Sequence, residues 1–389
     1  MPERVTPATV DELAAVLRDP DAGAVCVRGG GTKRHWGAPP SACDVILETG
    51  RLDRVVDHAA GDMVVEVEAG VRLDRLAQVL AGAGQQLALD IPSYDDGTSL
   101  GAGTVGGALA VGLSGPRRWR YGAVRDLVLG VTMVRADGTV ASAGSRVVKN
   151  VAGYDLGKLL CGSFGTLGVI VRVVLRLHPL PRATAWVSVE APDPPAAHGH
   201  AAALLGSQLS PSAVEVDRPA VGAPVTVAAL FEGTGGGVAA RAAAAAELVG
   251  GEVADRPPAW FGRWPGGPDG TLVEVRCRPA DLAGAVAAVD RAAGAVATPV
   301  AVRGSAGPAV LQVSVGGDPD RVPGFVTGLR DGLAAVGGGA VVRHASEQVR
   351  AAVDVWGPVD PGALRLMRRV KEQFDPGRRL APGCFVGGI

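Results

Sequence analysis

The sequence predicts an α+β protein of two unequal parts, and three observations carry that expectation. At 389 residues the chain exceeds what a single hydrophobic core normally holds, so two domains are expected. Segments of two-residue apolar period alternate with segments of 3.6-residue period along the whole chain. The long β-rich run VIVRVVLRLHPLP is stopped by Pro179 and Pro181 and followed by a change of composition, which puts a boundary near residue 181.

The first part opens with TPATVDELAAVLRD, a capped helix with Leu13, Val16 and Leu17 on one face. A strand over AVCVR runs into RGGGT, and strand VVEVEAG, helix VRLDRLAQVLAGAG and strand QLALD follow. Residues 99–115 hold six glycines and lead into the basic stretch PRRWRYG. Asp137-Gly138 between two apolar runs predicts a hairpin. Beyond residue 181, APDPPAAHGH reads as a linker. Short β-type runs (APVTVAALFEG, LVEVRCRP, AVLQVSVGG) then mix with the Ala-rich helical segments VAARAAAAAELVGG and DLAGAVAAVDRAAG. PGALRLMRRVKEQF predicts an amphipathic helix ended by Asp375-Pro376.

Composition excludes several classes. Lys plus Arg number 38 against 39 Asp plus Glu, so no net field favours nucleic acid or an anionic membrane. The five cysteines are scattered and odd in number, which fits separate reduced thiols and neither a disulfide framework nor an iron–sulfur motif. A reducing cytoplasm is the expected compartment. No run of about 18 or more apolar residues occurs, so no transmembrane segment is expected. The six histidines form no metal-ligand motif, and none is expected to hold a metal.

Three glycine-rich elements bear on function. RGGGT follows a strand and lets backbone N–H groups converge on an anion; read alone, it is equally a tight turn. It is not the dinucleotide fingerprint, because the last glycine that GxGxxG requires is replaced by Arg34. Thr104 can cap a helix whose Gly106 and Gly107 allow close backbone approach, or simply start a tightly packed helix. GSFGTLGVI runs glycines into a buried strand, as either a ring-binding wall or a turn.

Together, RGGGT, GTVGGALA with GLSGPRR and YG, and VKNVAGYDL with GSFGTLGVI resemble the FAD-binding PCMH-type family. KEQFDPGRRLAPG resembles the ending of its lactate and glycolate dehydrogenase branch, and GLSGPRRWRYG with VKNVAGYDL resembles the glycolate oxidase FAD-binding subunits. The resemblance implies a two-part FAD-binding domain over residues 1–181, a smaller α+β cap over 182–350, and a tail over 351–389 whose helix returns to the FAD domain. It places phosphate contacts on Arg28, Gly29, Gly30, Gly31, Thr32 and Lys33. Second phosphate and ring contacts fall on Thr104, Val105, Gly106, Gly107, Ser114, Gly115 and Gly122, and adenine and ribose contacts on Gly165, Gly168 and Ile170. Thr32 stands where some relatives carry a linking histidine, so non-covalent FAD is expected, with His35 a solvated loop residue.

The resemblance further implies a subunit of a glycolate or other 2-hydroxy-acid oxidising complex. Its partners would be a separately encoded catalytic flavin subunit and an iron–sulfur subunit, with the complex cytoplasmic or peripheral at the inner membrane. Two departures qualify that. The family's GHxGDGNxH segment has no counterpart, and Ala381 replaces an asparagine near the end. Arg343 and His344 are the candidate pair for a carboxylate clamp and base, against the plainer reading of an exposed strand end. An autonomous FAD-dependent 2-hydroxy-acid dehydrogenase and a non-catalytic scaffold are the alternatives. Arg117, Arg118 and Arg120 around Trp119 form the densest basic patch, read as an anion grip, an acidic-partner surface or a solvated loop.

Overall fold

The computed structural model describes residues 1–94, 103–145 and 154–389. Strands β1 (Glu3–Val5), β2 (Val25–Arg28) and β3 (Val45–Glu48) form a small parallel sheet in the order β1-β3-β2. The helix Val10–Arg18 packs beside it: the Thr9 hydroxyl accepts from the Glu12 N–H at 3.1 Å, and Leu13, Ala14 and Leu17 are fully buried. Strands β4 (Val55–Ala59) and β5 (Val64–Glu68) belong to a second, antiparallel sheet. A short β6 (Gln85–Gln86) lies outside it, and β7 (Val128–Val134), β8 (Val140–Gly144) and β9 (Val169–Arg176) complete the order β4-β5-β9-β7-β8. Beyond them β10 (His178–Pro179) pairs with β6.

The strand expected over QLALD is thus only two residues long. The Leu89 N–H turns back onto the Leu87 carbonyl at 2.7 Å, which lifts the chain off the ladder and carries Ile91 away from it. The β7–β8 hairpin is present, with Gly138 at φ +75°. A Cβ there would sit 2.6 Å from the Ala14 carbonyl, so the turn also needs glycine for its approach to the first helix.

The second domain is one eight-stranded antiparallel sheet. Its strands are β11 (Ala183–Ala191), β12 (Ala213–Arg218), β13 (Val225–Gly233), β14 (Glu252–Ala254), β15 (Thr271–Arg276), β16 (Val300–Ser305), β17 (Val310–Val315) and β18 (Gly339–His344). They run in the order β14-β11-β13-β12-β16-β17-β15-β18. Alternation sorts its two faces. Val214, Val216, Val273, Val302, Leu311 and Val313 pack with the helices Pro194–Gly206, Gly235–Val249, Leu282–Val296 and Val322–Ala334. The intervening residues, Glu215, Asp217, Glu274, Arg303, Ser305 and Gln312, make the opposite face polar.

The linker reading of residues 191–200 does not hold. The Asp193 carboxylate accepts from the Ala196 N–H at 2.8 Å and Pro194 begins a helix, so His198 and His200 lie on a packed element that buries Ala197, Ala201 and Leu204.

The final helix, Pro361–Phe374, returns to the first domain, where Val370 and Phe374 pack on the core beneath β5 and β9. Lys371 is the buried anchor. Its ammonium donates to the Thr166 carbonyl (2.7 Å), the Asp375 carboxylate (2.7 Å) and the Leu380 carbonyl (2.9 Å). Leu380 then bridges in parallel to Val25 of β2, and the Ala381 N–H donates to the Val25 carbonyl at 2.9 Å.

Candidate functional site

The principal cavity, of about 330 Å³, lies within the range of ligand clefts, roughly 300–1,000 Å³. It is walled by the loop after β2, the helix Val105–Val111, the segment Phe164–Ile170 and the tail at Ala381 and Cys384. Arg28, Gly29, Gly30, Gly31, Thr32, Lys33, Thr104, Gly106, Gly107, Gly165, Gly168 and Ile170 all line it.

The loop has the chemistry of an anion seat. None of the backbone N–H groups of Gly29, Gly30, Gly31, Thr32 or Lys33 donates to another described residue. Gly30 is exposed and the other four residues are half-buried, so five successive open donors on one cavity wall form an accessible nest for phosphate oxygens. Gly31 sits at φ +73°, which produces the turn of the nest. Lys33 adds charge: no carboxylate among the described residues pairs with it, and its ammonium donates to the Thr32 hydroxyl at 3.2 Å and lies 5.5 Å from the Trp36 ring centre. Burial pulls its pKa down to about 8.

The helix start behaves differently. The Thr104 hydroxyl accepts from the Gly107 N–H (3.2 Å), the Val105 N–H donates to the Val71 carbonyl (2.9 Å) and the Gly106 N–H to the Ala69 carbonyl (2.8 Å). Those three donors are spent within the protein. Gly106 and Gly107 therefore offer room for close approach and no second nest. A Cβ on Gly106 would meet the Ala69 Cβ at 2.6 Å, and one on Gly29 would meet the Thr104 hydroxyl at 2.4 Å. The two walls touch through the missing side chains.

Four expected residues stand off the cavity. Val105 is buried in the core beneath the helix. The Ser114 hydroxyl accepts from the Val124 N–H at 2.8 Å and serves as a cap. Gly115 lies against the Asp90 backbone, and Gly122, at φ +89°, turns the chain beside Asp126. Residues the sequence reading passed over complete the wall, among them Trp36, Ile91, Phe164 and Cys384, and Ala381, noted there as a departure from the family, joins them. Trp36, five residues past Gly31 in RGGGTKRHWG, was the available signal. The VKNVA part of the third motif, like residues 99–102, lies outside the described residues.

Arg343 and His344 do not line the cavity. Arg343 donates to Glu274 at 2.8 Å and lies 5.7 Å from the Trp36 ring centre, behind the wall. Glu274 is held down at about 2: burial pushes it up, and the Arg343 and Arg276 guanidiniums more than offset that. His344 shares a hydrogen bond of 2.9 Å with the Pro268 carbonyl and meets His35 edge-on at 5.8 Å, and burial lowers its pKa. His35 itself is exposed. No group of three or more His, Cys, Asp or Glu among the described residues is arranged to hold a metal ion.

The basic patch divides: Trp119 and Arg120 are exposed, whereas Arg117 is half-buried and fully engaged. Arg117 joins the domains: its guanidinium donates to Gln86 (2.7 Å) and Asp90 (3.4 Å) of the first and to Glu232 (3.3 Å) of the second. Tyr121 adds a bond to Glu232 at 3.1 Å.

Proton linkage at Lys33 yields a prediction. An anion in the nest raises the pKa of Lys33 above its free value near 8, so binding takes up a proton as the pH rises through 8. Affinity for a phosphate-bearing cofactor should be full below pH 8 and weaken above it, by up to about tenfold per pH unit. Lys33→Met should bind more weakly and with a flat profile between pH 7 and 9.5. A slope retained in Lys33→Met would remove Lys33 from the phosphate contact.

Residues 3–144 match the family model described as FAD binding domain. Glycolate oxidase subunit GlcE of Escherichia coli is 36% identical over 160 residues, covering 41% of this chain and 43% of that protein. D-lactate dehydrogenase of Archaeoglobus fulgidus is 34% identical over 177 residues, covering 45% of this chain and 38% of that protein. The chain thus spans less than half the length of these curated relatives. The crystal structure of p-cresol methylhydroxylase with substrate bound superposes with a TM-score of 0.76 at 16% identity, over 98% of this chain and 88% of that one, so the fold is shared throughout. Residues 3–144 of this chain are an FAD-binding domain, and FAD is its cofactor.

Proposed function

We propose that this chain is the FAD-carrying subunit of a complex that oxidises a small 2-hydroxy acid. It would work beside a separately encoded catalytic flavin subunit and an iron–sulfur subunit, in the cytoplasm or peripherally at the inner membrane. The observation that carries the cofactor part is the run of five open N–H donors from Gly29 to Lys33 beside an unpaired ammonium, which suits the two charges of a pyrophosphate. The subunit part is supported by the relative described as a glycolate oxidase subunit. When bound, FAD supplies the two-electron acceptor; the chain supplies the seat and excludes water through Trp36, Ile91 and Leu113. Thr32 lines the seat with a hydroxyl in place of a linking side chain, so the flavin is held without a covalent bond.

No described helix is long and apolar enough to cross a membrane, so attachment to one would run through partners. A specific observation favours the second reading, an autonomous 2-hydroxy-acid dehydrogenase: the cap sheet carries ionisable and amide side chains on the face away from its own helices.

One preparation tests these readings. Denaturing precipitation should leave the yellow chromophore in the supernatant, whereas a yellow pellet would establish a covalent link. Under anaerobic conditions, glycolate or D-lactate should bleach the flavin of the co-expressed complex and leave that of the isolated chain largely oxidised. Rapid stoichiometric bleaching of the isolated chain would select the autonomous enzyme.

A further inference from the structure

A second, smaller cleft lies between the domains, one residue along the chain from the FAD cavity at two places: Ile91 and Leu113 line the cavity, and Pro92 and Ser114 line the cleft. Pro92, Pro116, Trp260 and Trp264 form the apolar part of its wall. Its volume is about 40 Å³, where a water needs about 10–15 Å³, so it accommodates a molecule of a few heavy atoms.

The polar groups in this cleft are unsatisfied in a complementary way. Glu215, 4% exposed, presents an Oε1 with no hydrogen-bond partner, and Gln312 presents an Oε1 in the same condition. Both are buried acceptors without donors, a costly arrangement unless something supplies an O–H or N–H. Opposite in charge is Arg118, which lines the same cleft and whose guanidinium makes no hydrogen bond or ion pair to any described residue. Arg303 in the same wall is already satisfied by Asp217 and by the Arg263 and Trp264 carbonyls. Burial raises Glu215 to about 8, with the Ser305 hydrogen bond opposing, so near neutral pH it mostly carries a proton on one oxygen, keeps the other as an acceptor and does not repel an incoming anion.

We propose that this interdomain cleft is a recognition site for a two- or three-carbon 2-hydroxy acid, with the Arg118 guanidinium receiving the carboxylate and the free oxygens of Glu215 and Gln312 receiving the hydroxyl proton. A planar guanidinium fork matches a carboxylate, and the two acceptors require a ligand that also carries a donor on a neighbouring carbon. A simple carboxylate satisfies half the site. The proposal rests on the reading of the chain as a 2-hydroxy-acid oxidoreductase and places the acid on this chain.

Binding, read without any flavin chemistry, tests it. Glycolate is titrated calorimetrically into the FAD-loaded chain, with acetate as the probe that lacks the hydroxyl. Glycolate should bind several-fold more tightly than acetate. Arg118→Gln should weaken glycolate at least tenfold, and Arg118→Lys should weaken it less. Because Arg118 has no partners to orphan, both variants should keep their FAD content and unfolding midpoint. Arg120→Gln, which removes an exposed charge two residues away, should leave binding unchanged. Absence of glycolate binding at millimolar concentration, equal affinity for acetate, or an equal loss in Arg118→Gln and Arg120→Gln would overturn the site. Flavin reduction in the co-expressed complex is scored separately, so this site can fail while the oxidoreductase reading stands.

Discussion

Gly29→Ala is expected to leave the protein largely free of flavin. The new Cβ would stand 2.4 Å from the Thr104 hydroxyl, well inside contact distance, and Thr104 is only 4% exposed and fixed as the cap of its helix. Either the anion nest or the helix start must move, and both are walls of the FAD cavity. Affinity for FAD should fall at least tenfold, or about 1.4 kcal/mol. Adding Thr104→Ala removes the offending oxygen, leaving its Cβ at 3.6 Å, and should recover part of the flavin despite the lost cap, which costs about 0.5–2 kcal/mol in helix stability. Gly50→Ala meets nothing within 4 Å and serves as the control. Flavin-to-protein absorbance ratios after gel filtration check this series, and an undiminished ratio in Gly29→Ala would show that the two walls do not meet in the loaded protein.

Lys371→Met carries the largest expected cost in stability. The ammonium and its Asp375 partner are 4% and 0% exposed, and removing the cation leaves a buried carboxylate that keeps only the Arg379 and Leu380 N–H groups. Breaking such a pair typically costs about 3–5 kcal/mol, because the orphaned charge stays buried. Denaturant unfolding should show that loss for the first domain. Lys371→Met with Asp375→Asn should regain part of it, since an amide in that pocket is not an unpaired charge. A loss below about 1 kcal/mol in the single variant would mean that Asp375 finds another cation or takes up a proton at little cost.

The fold was legible where local chemistry decides it. The first helix, the Asp137-Gly138 hairpin and the end of the last helix follow from caps, turn residues and period. The glycine loop after β2, read alone, was equally an anion seat or a tight turn, and only its resemblance to the family's phosphate loop favoured the first. What sequence could not give is pairing over long distances. The open donors of Gly29–Lys33 and the spent donors of Val105–Gly107 look alike as glycine-rich strings, and only the carbonyls of Ala69 and Val71 separate them. Arg117 and Arg118 were read as one patch. In space they diverge, the first tied to Asp90 and Glu232 and the second unpartnered in a cleft with Glu215, a residue 97 positions away. The APDPP stretch misled because three prolines and an aspartate compose a linker and also a helix start, and tertiary burial of Ala197 and Leu204 selects the second.

The bridge from Leu380 to Val25 has a consequence for biosynthesis. The strand that launches the phosphate loop pairs with β3 early, but its other edge is covered only when residues 379–381 have been made, and Ala381 and Cys384 line the cavity itself. A nascent chain on the ribosome therefore holds an unfinished seat through the whole synthesis of the cap. The segment Leu380–Cys384 is thus the closing stitch of the seat, and the cavity is complete only once it has docked.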